Sequence, residues 1–297
     1  MTDTTYTPRF PVPKGACDCH YHVFGPAARY APKPEIRHLM PDALAVDHAA
    51  MRARVGLERM VLVQVGGYYP DNQPMLEVLA AEGDKMRGVA AYDPAIEADE
   101  IASLNAAGAR GMRVSPGRDL SDDRLDEVWS IVMRLAKLFE PVGWHIQFLL
   151  SGHMRDALLP RLKDVPVPVV IDHLGLFRPE RTDGHKGYEA FLKAMESANT
   201  WTKVSGADRV TRDGNYENAI PIMRDLIAVA PERLVWGTDW PHTPERPPLA
   251  YGEGPVTLAY TDVDENKCIS VLADACPDEA TFKAILVDNP ARLYGFE

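Results

Sequence analysis

Eight short apolar runs alternate along this chain with longer stretches of helical periodicity, and that alternation restricts the fold more than any single motif. The runs are CDCHYHVF (17–24), RMVLVQV (59–65), GVAAYD (88–93), RGMRV (110–114), WHIQFLL (144–150), PVVID (168–172), WTKVSG (201–206) and RLVWGTD (233–239). Their inner members are rich in Val, Ile and Leu, as strands buried on both faces require. Stretches with helical spacing fall at 41–56, 72–85, 97–107, 125–139, 154–164, 187–198, 216–229 and 278–286. The clearest sets Leu125, Val128, Trp129, Val132, Leu135, Ala136 and Phe139 at intervals of three and four, which makes one apolar stripe. A strand followed by a helix, eight times over, predicts an α/β fold: a single (β/α)8 barrel of the TIM type rather than a doubly wound sheet. Such a barrel commonly needs about 250 residues. The 297 residues here are therefore read as one barrel domain, 1–297, with 1–15 as a loose N-terminal arm. The stretches GPAARYAPKPEIRHL, after the first run, and PHTPERPPLAYGEGP (241–255), after the eighth, read as long loops.

Composition then excludes several classes of function. The formal charge is −11 and no Lys/Arg cluster is present, so a phosphate backbone is repelled and no nucleic-acid partner is expected. No apolar run is long enough to span a bilayer, so no membrane partner is expected. The opening MTDTTYTPRFPVPKG lacks the apolar core of a secretion signal, which points to a cytoplasmic protein. Four cysteines in a chain of this length read as reduced thiols, not a disulfide framework. A small anionic substrate stays open, because a few buried arginines reverse the field locally. Homo-oligomers are common among such barrels, but nothing in the sequence sets a stoichiometry.

In a barrel of this type the chemistry sits at the C-terminal ends of the strands. The first run ends in His20 and His22. Alternation on a strand predicts that Asp18, His20 and His22 share one face, with Cys17, Cys19 and Tyr21 on the other. An H-x-H pair alone is weak, since a satisfied polar pair would look the same. The sixth run ends VIDHLG, placing His173 just past a buried segment. The eighth ends WGTDWPH, with Asp239 at the lip of an apolar strand, where a carboxylate is costly unless paired or liganding a cation; His242 follows in the loop. GMRVSPGR offers Arg113 and Arg118, and SGADRV offers Arg209. A guanidinium fork suits a carboxylate or sulfonate-like anion, though each arginine could instead pair with a structural acid such as Asp172 or Asp208.

Imidazoles and one carboxylate converging on a single rim can hold a divalent metal or polarise a carbonyl directly. Asp239 is the candidate general base, with arginines to anchor an anionic substrate. The residues read as a hydrolase of a small, negatively charged ester or lactone.

The motifs DCHYHVFGP, GARGMRV, PVPVVIDHLG, GADRV, ERLVWGTDWPH and NPARLYGF occur in an order that resembles the amidohydrolase superfamily. Within it, the chain is similar to the branch of 2-pyrone-4,6-dicarboxylate hydrolase, sulfomuconolactone hydrolases and galactarolactone isomerase, from about Pro13 to Phe296. The resemblance implies catalytic roles for His20, His22, His173 and Asp239, which would also be the ligands of a divalent metal such as Zn2+. It implies substrate contacts from Arg113, Arg209 and His38, with Arg118 a further candidate. Where metal-dependent relatives carry a fifth-strand histidine, this chain has Leu149, and His145 lies too deep or in the other phase. The resemblance is thus compatible with metal-free catalysis as well. The changed loops LFRPER and QVGGYYPDN imply a different lactone, from aromatic breakdown. Decarboxylation, lactone isomerisation and a non-catalytic binder are the competing readings.

Overall fold

A computed structural model describes residues 6–115, 122–150, 152–182, 185–211, 214–246 and 254–297. Eight parallel strands form one sheet in chain order: β1 (Cys17–Tyr21), β2 (Arg59–Val63), β3 (Met86–Ala91), β4 (Ala109–Val114), β5 (His145–Phe148), β6 (Val169–Ile171), β7 (Thr200–Lys203) and β8 (Leu234–Val235). The sheet closes because the segment beyond β8 runs along β1. Cys19 N–H donates to Trp236 O at 2.9 Å, His22 N–H to Trp240 O at 2.8 Å and Asp239 N–H to His20 O at 2.7 Å. The result is the (β/α)8 barrel that the alternation predicts.

Helices α1 (Ala45–Val55), α2 (Gln73–Glu82), α3 (Ala98–Ala106), α4 (Asp122–Phe139), α5 (Gly152–Leu158), α6 (Lys186–Met195), α7 (Ile220–Val229) and α8 (Glu265–Ala275) follow the strands in turn. Within α4, Val128, Val132, Leu135, Ala136 and Phe139 are buried and Leu125 and Trp129 pack beside them, so the stripe read from spacing is the face laid on the sheet. Burying side chains of this size contributes roughly 1.5–3 kcal/mol each. The eighth unit differs from expectation. Its first helix is α8, and the 278–286 stretch makes only a short helix, Glu279–Lys283, running into a π turn, Ala284–Asp288. The polar start of ENKCISVLADA hides α8 from a periodicity reading. Asp264 caps it, accepting from the N–H of Asn266 at 2.9 Å, and Cys268, Ile269, Val271 and Leu272 are buried. The two long loops pair with each other through His38–Leu39 and Val256–Thr257. Among the described residues, no helix is long and apolar enough to cross a membrane.

Two apolar layers result. The outer one fills the space between sheet and helices. The inner one gathers Cys17, Cys19, Val61, Val63, Val89, Val170, Trp201 and Val235 with Leu293, Tyr294 and Phe296 from the chain's end.

The expected facing of β1 is corrected. Asp18 pairs with Met60 and Tyr21 with Leu62, so β1 spends three residues where β2 spends two. This bulge shifts the phase of the strand. Asp18 and Tyr21 both turn outward to His48 on α1, the acid at 3.0 Å from its Nε2 and the ring stacked at 3.7 Å. Cys17 and Cys19 point into the barrel, and His20 and His22 crown the same interior.

Candidate active site

Four buried groups from three separate parts of the chain meet at the C-terminal mouth. Oδ1 of Asp239 lies 3.5 Å from Nε2 of His20, 3.6 Å from Nε2 of His22 and 3.7 Å from Nε2 of His173. The two first-strand imidazoles approach each other at 3.2 Å, Nε2 to Nε2. Asp239 and His173 both adopt left-handed backbone, with φ of 63° and 49°. For residues other than glycine that conformation costs roughly 1–2 kcal/mol. Such outliers recur where a strand end must turn a side chain back over a site. Gly237 permits the same approach from β8: a Cβ there would stand 2.4 Å from the backbone nitrogen of His20. Asp18 ties the two segments together. Its Oδ1 accepts from His20 N–H at 3.1 Å and Thr238 N–H at 2.9 Å, while Oδ2 accepts from the Thr238 hydroxyl at 2.6 Å.

Burial disfavours charge on every imidazole here. Burial first, then Lys203, pushes His20 well below its ordinary value; burial with Arg113 takes His22 to about 4, and burial takes His173 to about 4. All three are neutral at pH 7. Burial alone would raise Asp239, but Arg209, His173, His20 and His22 together hold it well below the usual carboxylate range. The site therefore contains an anionic acid ringed by neutral rings.

Donor chemistry and spacing suit a divalent cation. Oδ1 of Asp239 is buried and takes no hydrogen bond among the described residues. Zn–N bonds of about 2.0–2.1 Å imply tetrahedral edges near 3.3 Å, and the His20–His22, His20–Asp239 and His22–Asp239 separations are 3.2, 3.5 and 3.6 Å. His20, His22 and Asp239 thus form one possible ligand set, and His20, Asp172 and His173 form another.

The arginines lie at the same mouth, each already on an acid. Arg209 pairs through Nε with Oδ2 of Asp239 and reaches Oγ1 of Thr243 at 3.1 Å. Arg113 donates through Nε to Oδ2 of Asp172 at 2.8 Å. Its Nη groups donate no hydrogen bond among the described residues, and its side chain keeps 15% exposure. His38 sits apart, half-buried on the short ladder with Val256. His242 is buried with its Nε2 3.3 Å from Oε1 of Glu265. Arg118 lies outside the described residues. His145 is deep in the barrel, T-shaped against Tyr294 at 5.3 Å, and Leu149 stands on the loop just past β5.

Two members of the cluster, Lys203 and Gln147, escaped the sequence reading. Lys203 is wholly buried under His20, donating to Cys19 O at 2.8 Å, Gln147 Oε1 at 2.9 Å and His20 Nδ1 at 3.1 Å. Burial lowers it to about 8. Gln147 in turn donates to Oδ2 of Asp172 at 3.2 Å. A lysine inside TWTKV is as anomalous as Arg113 in GMRV, and that signal was available in the sequence.

Comparison with known proteins follows the same lines. The chain is 33% identical over 300 residues to a 2-pyrone-4,6-dicarboxylate hydrolase of Comamonas testosteroni, covering 97% of this chain and 92% of the relative. It is 27% identical over 292 residues to a 4-sulfomuconolactone hydrolase of Hydrogenophaga intermedia, covering 97% and 91%. A crystal structure of an Agrobacterium tumefaciens protein without ligand superposes with a TM-score of 0.79 at 27% identity, covering 98% of this chain and 99% of that one. The amidohydrolase family model matches residues 17–296. With a barrel whose mouth gathers histidines and an acid, and a family match across nearly its whole length, the chain belongs to the amidohydrolase family.

Proposed function

We propose that the protein hydrolyses a small anionic lactone, adding water to the ring carbonyl and releasing the opened hydroxy acid. The observation that carries this is Asp239: a buried carboxylate with one oxygen free of hydrogen bonds, surrounded by three neutral imidazoles and flanked by guanidinium groups. The two relatives named for pyrone dicarboxylate and sulfomuconolactone support the substrate class.

In this reading Asp239 accepts a proton from the attacking water and returns it to the ring oxygen as the C–O bond breaks. N–H groups of His20 and His173 hold the carbonyl oxygen as it gains charge, while His22, whose Nδ1 donates to Val63 O, presents a lone pair. Arg113, through its open Nη groups, grips a substrate carboxylate and fixes the carbonyl over Asp239. Arg209 has two states. On Asp239 it makes that acid a weak base; drawn onto a substrate anion, it releases the carboxylate and raises its basicity. His38 and, from the sequence, Arg118 are proposed as further substrate contacts. A cation, with zinc best suited to this His/His/Asp set, would be held by His20, His22 and Asp239. When bound it supplies Lewis-acid polarisation and acidifies water. His173, with Nδ1 at 3.1 Å from the Ser205 hydroxyl, remains beside that set as a hydrogen-bonding group. All four cysteines are unpaired, in keeping with a reducing cytoplasm.

The test is an assay of the purified protein on 2-pyrone-4,6-dicarboxylate, 4-sulfomuconolactone and muconolactone, following loss of the ring and release of one acid equivalent per turnover. Product that keeps its ring, or release of CO2 in place of ring opening, would overturn the proposal.

A further inference from the structure

Of the described residues, Lys203 is the one buried cation of the barrel interior that the hydrolytic reading leaves without a task. Among the described residues, its ammonium group has three acceptors for three protons: the carbonyl of Cys19 at 2.8 Å, Oε1 of Gln147 at 2.9 Å and Nδ1 of His20 at 3.1 Å. The carboxylate of Asp172 competes for the same ring nitrogen, with Oδ1 3.3 Å from His20 Nδ1 and 3.7 Å from Lys203 Nζ. Only one of the two can own it. If the ring donated to Asp172, the third ammonium proton would be left with an acceptor at 3.7 Å; if Lys203 donates to the ring, every ammonium proton is placed. Oδ1 of Asp172, without a hydrogen bond among the described residues, then keeps only the 3.7 Å ion pair with Lys203, while Oδ2 holds Arg113 and Gln147. A nitrogen that accepts cannot carry the proton of a neutral imidazole, so that proton lies on Nε2.

We propose that Lys203 is a positioning residue that fixes the tautomer of His20: donating to Nδ1 from beneath, it leaves the ring proton on Nε2, aimed at Asp239 and His22. His22 is fixed the other way. Its Nδ1 donates to the carbonyl of Val63 at 2.7 Å, which leaves its Nε2 as a bare acceptor 3.2 Å from Nε2 of His20. The two first-strand histidines are thus unlike: His20 gives a proton to the site and His22 offers a lone pair. A cation bound through Nε2 of His20 needs the opposite tautomer, with the proton on Nδ1 and Asp172 as its acceptor. Lys203 and a metal therefore compete for one imidazole, and Asp172 is the group that takes the ring proton whenever the metal wins.

The inference rests on the same cluster as the lactonase reading, but its test needs no substrate, so either can fail alone. The decisive measurement is the 15N spectrum of the imidazoles in the unaltered protein after dialysis against a chelator, with the His20 signals assigned by their loss in His20→Asn. Proton attachment at Nε2 is expected. Attachment at Nδ1, or a doubly protonated ring, overturns the proposal without any Lys203 variant having to fold. In Lys203→Met the attachment is expected to move to Nδ1. Titration with Zn2+ alone should then show binding about tenfold tighter than in the unaltered protein. Zinc binding unchanged or weakened by the substitution would overturn it equally.

Discussion

Two successive inward rungs of the same barrel have opposite characters. On the lower rung β4 presents Gly111, β5 His145, β6 Val170 and β7 Trp201; two residues further along the same strands stand Arg113, Gln147, Asp172 and Lys203. A step of two keeps the side chain on the same face, so both rungs line the interior. The lower one is closed below by Tyr294 and packed with valines, and both ring nitrogens of its His145 lack hydrogen-bond partners among the described residues. Burial, joined by Lys203, holds that imidazole at about 3, neutral and inert. The upper rung ties its polar groups to one another: Arg113 to Asp172, Gln147 to both Asp172 and Lys203, Lys203 to His20. The comparison teaches that depth, not residue type, separates a structural histidine from a functional one. One rung below the mouth, an imidazole has nothing to act on.

Changes on the upper rung and its crown should cost activity, and changes on the lower rung should cost stability. Asp239→Asn bears hardest on this division. It should fold and melt near the parent temperature while kcat on a hydrolysed lactone falls by about 10³-fold or more, measured by steady-state kinetics. Normal turnover by that variant would remove the base from the mechanism. Arg113→Met is next, with kcat/KM lower by roughly 10²-fold and the loss mainly in KM, since a binding fork is removed while Asp239 stays. A loss confined to kcat would place Arg113 in the chemical step instead.

Acid should act on the upper rung and its crown together. His22 and His173 are held at about 4 in the folded protein, against ~6.5 for an imidazole in an unfolded chain. Between those values the unfolded chain binds more protons. Their contribution to stability is therefore complete above about 6.5 and is lost as pH falls through 4. Asp172 and Asp239, also lowered, extend the loss in the same direction. Thermal midpoints by circular dichroism should drop between pH 7.5 and 4.5; a flat profile would show that the rings are not buried neutral. The smallest effect is expected from Gly111→Ala. Its methyl would meet Cε1 of His145 at 2.4 Å, so a destabilisation of about 1–3 kcal/mol in urea should leave kcat nearly intact. A kinetic defect without a stability defect would reverse the assignment of the two rungs.

Much of this was legible in the order of residues. Eight apolar runs and their intervening stripes determined the barrel, because two-sided burial leaves a strand few choices other than Val, Ile and Leu. The barrel in turn directed attention to the strand ends, where His20, His22, His173, Asp239, Arg113 and Arg209 stand. What the order of residues concealed was phase and partnership. The bulge in β1 inserts one residue, and alternation read along a strand cannot reveal an insertion that exists only relative to its neighbour. The helix at Glu265–Ala275 was hidden by the polar turn that caps it.

The choice of partners was decided in three dimensions. Lys203 lies 183 positions from His20 in the chain and 3.1 Å from it in space, and Arg113 meets Asp172 across 59 positions. Sequence determined which chemical groups reach the mouth, since burial patterns are local and periodic. Tertiary structure decided which group holds which proton, since that depends on differences of a few tenths of an ångström between strands joined only by closure of the barrel.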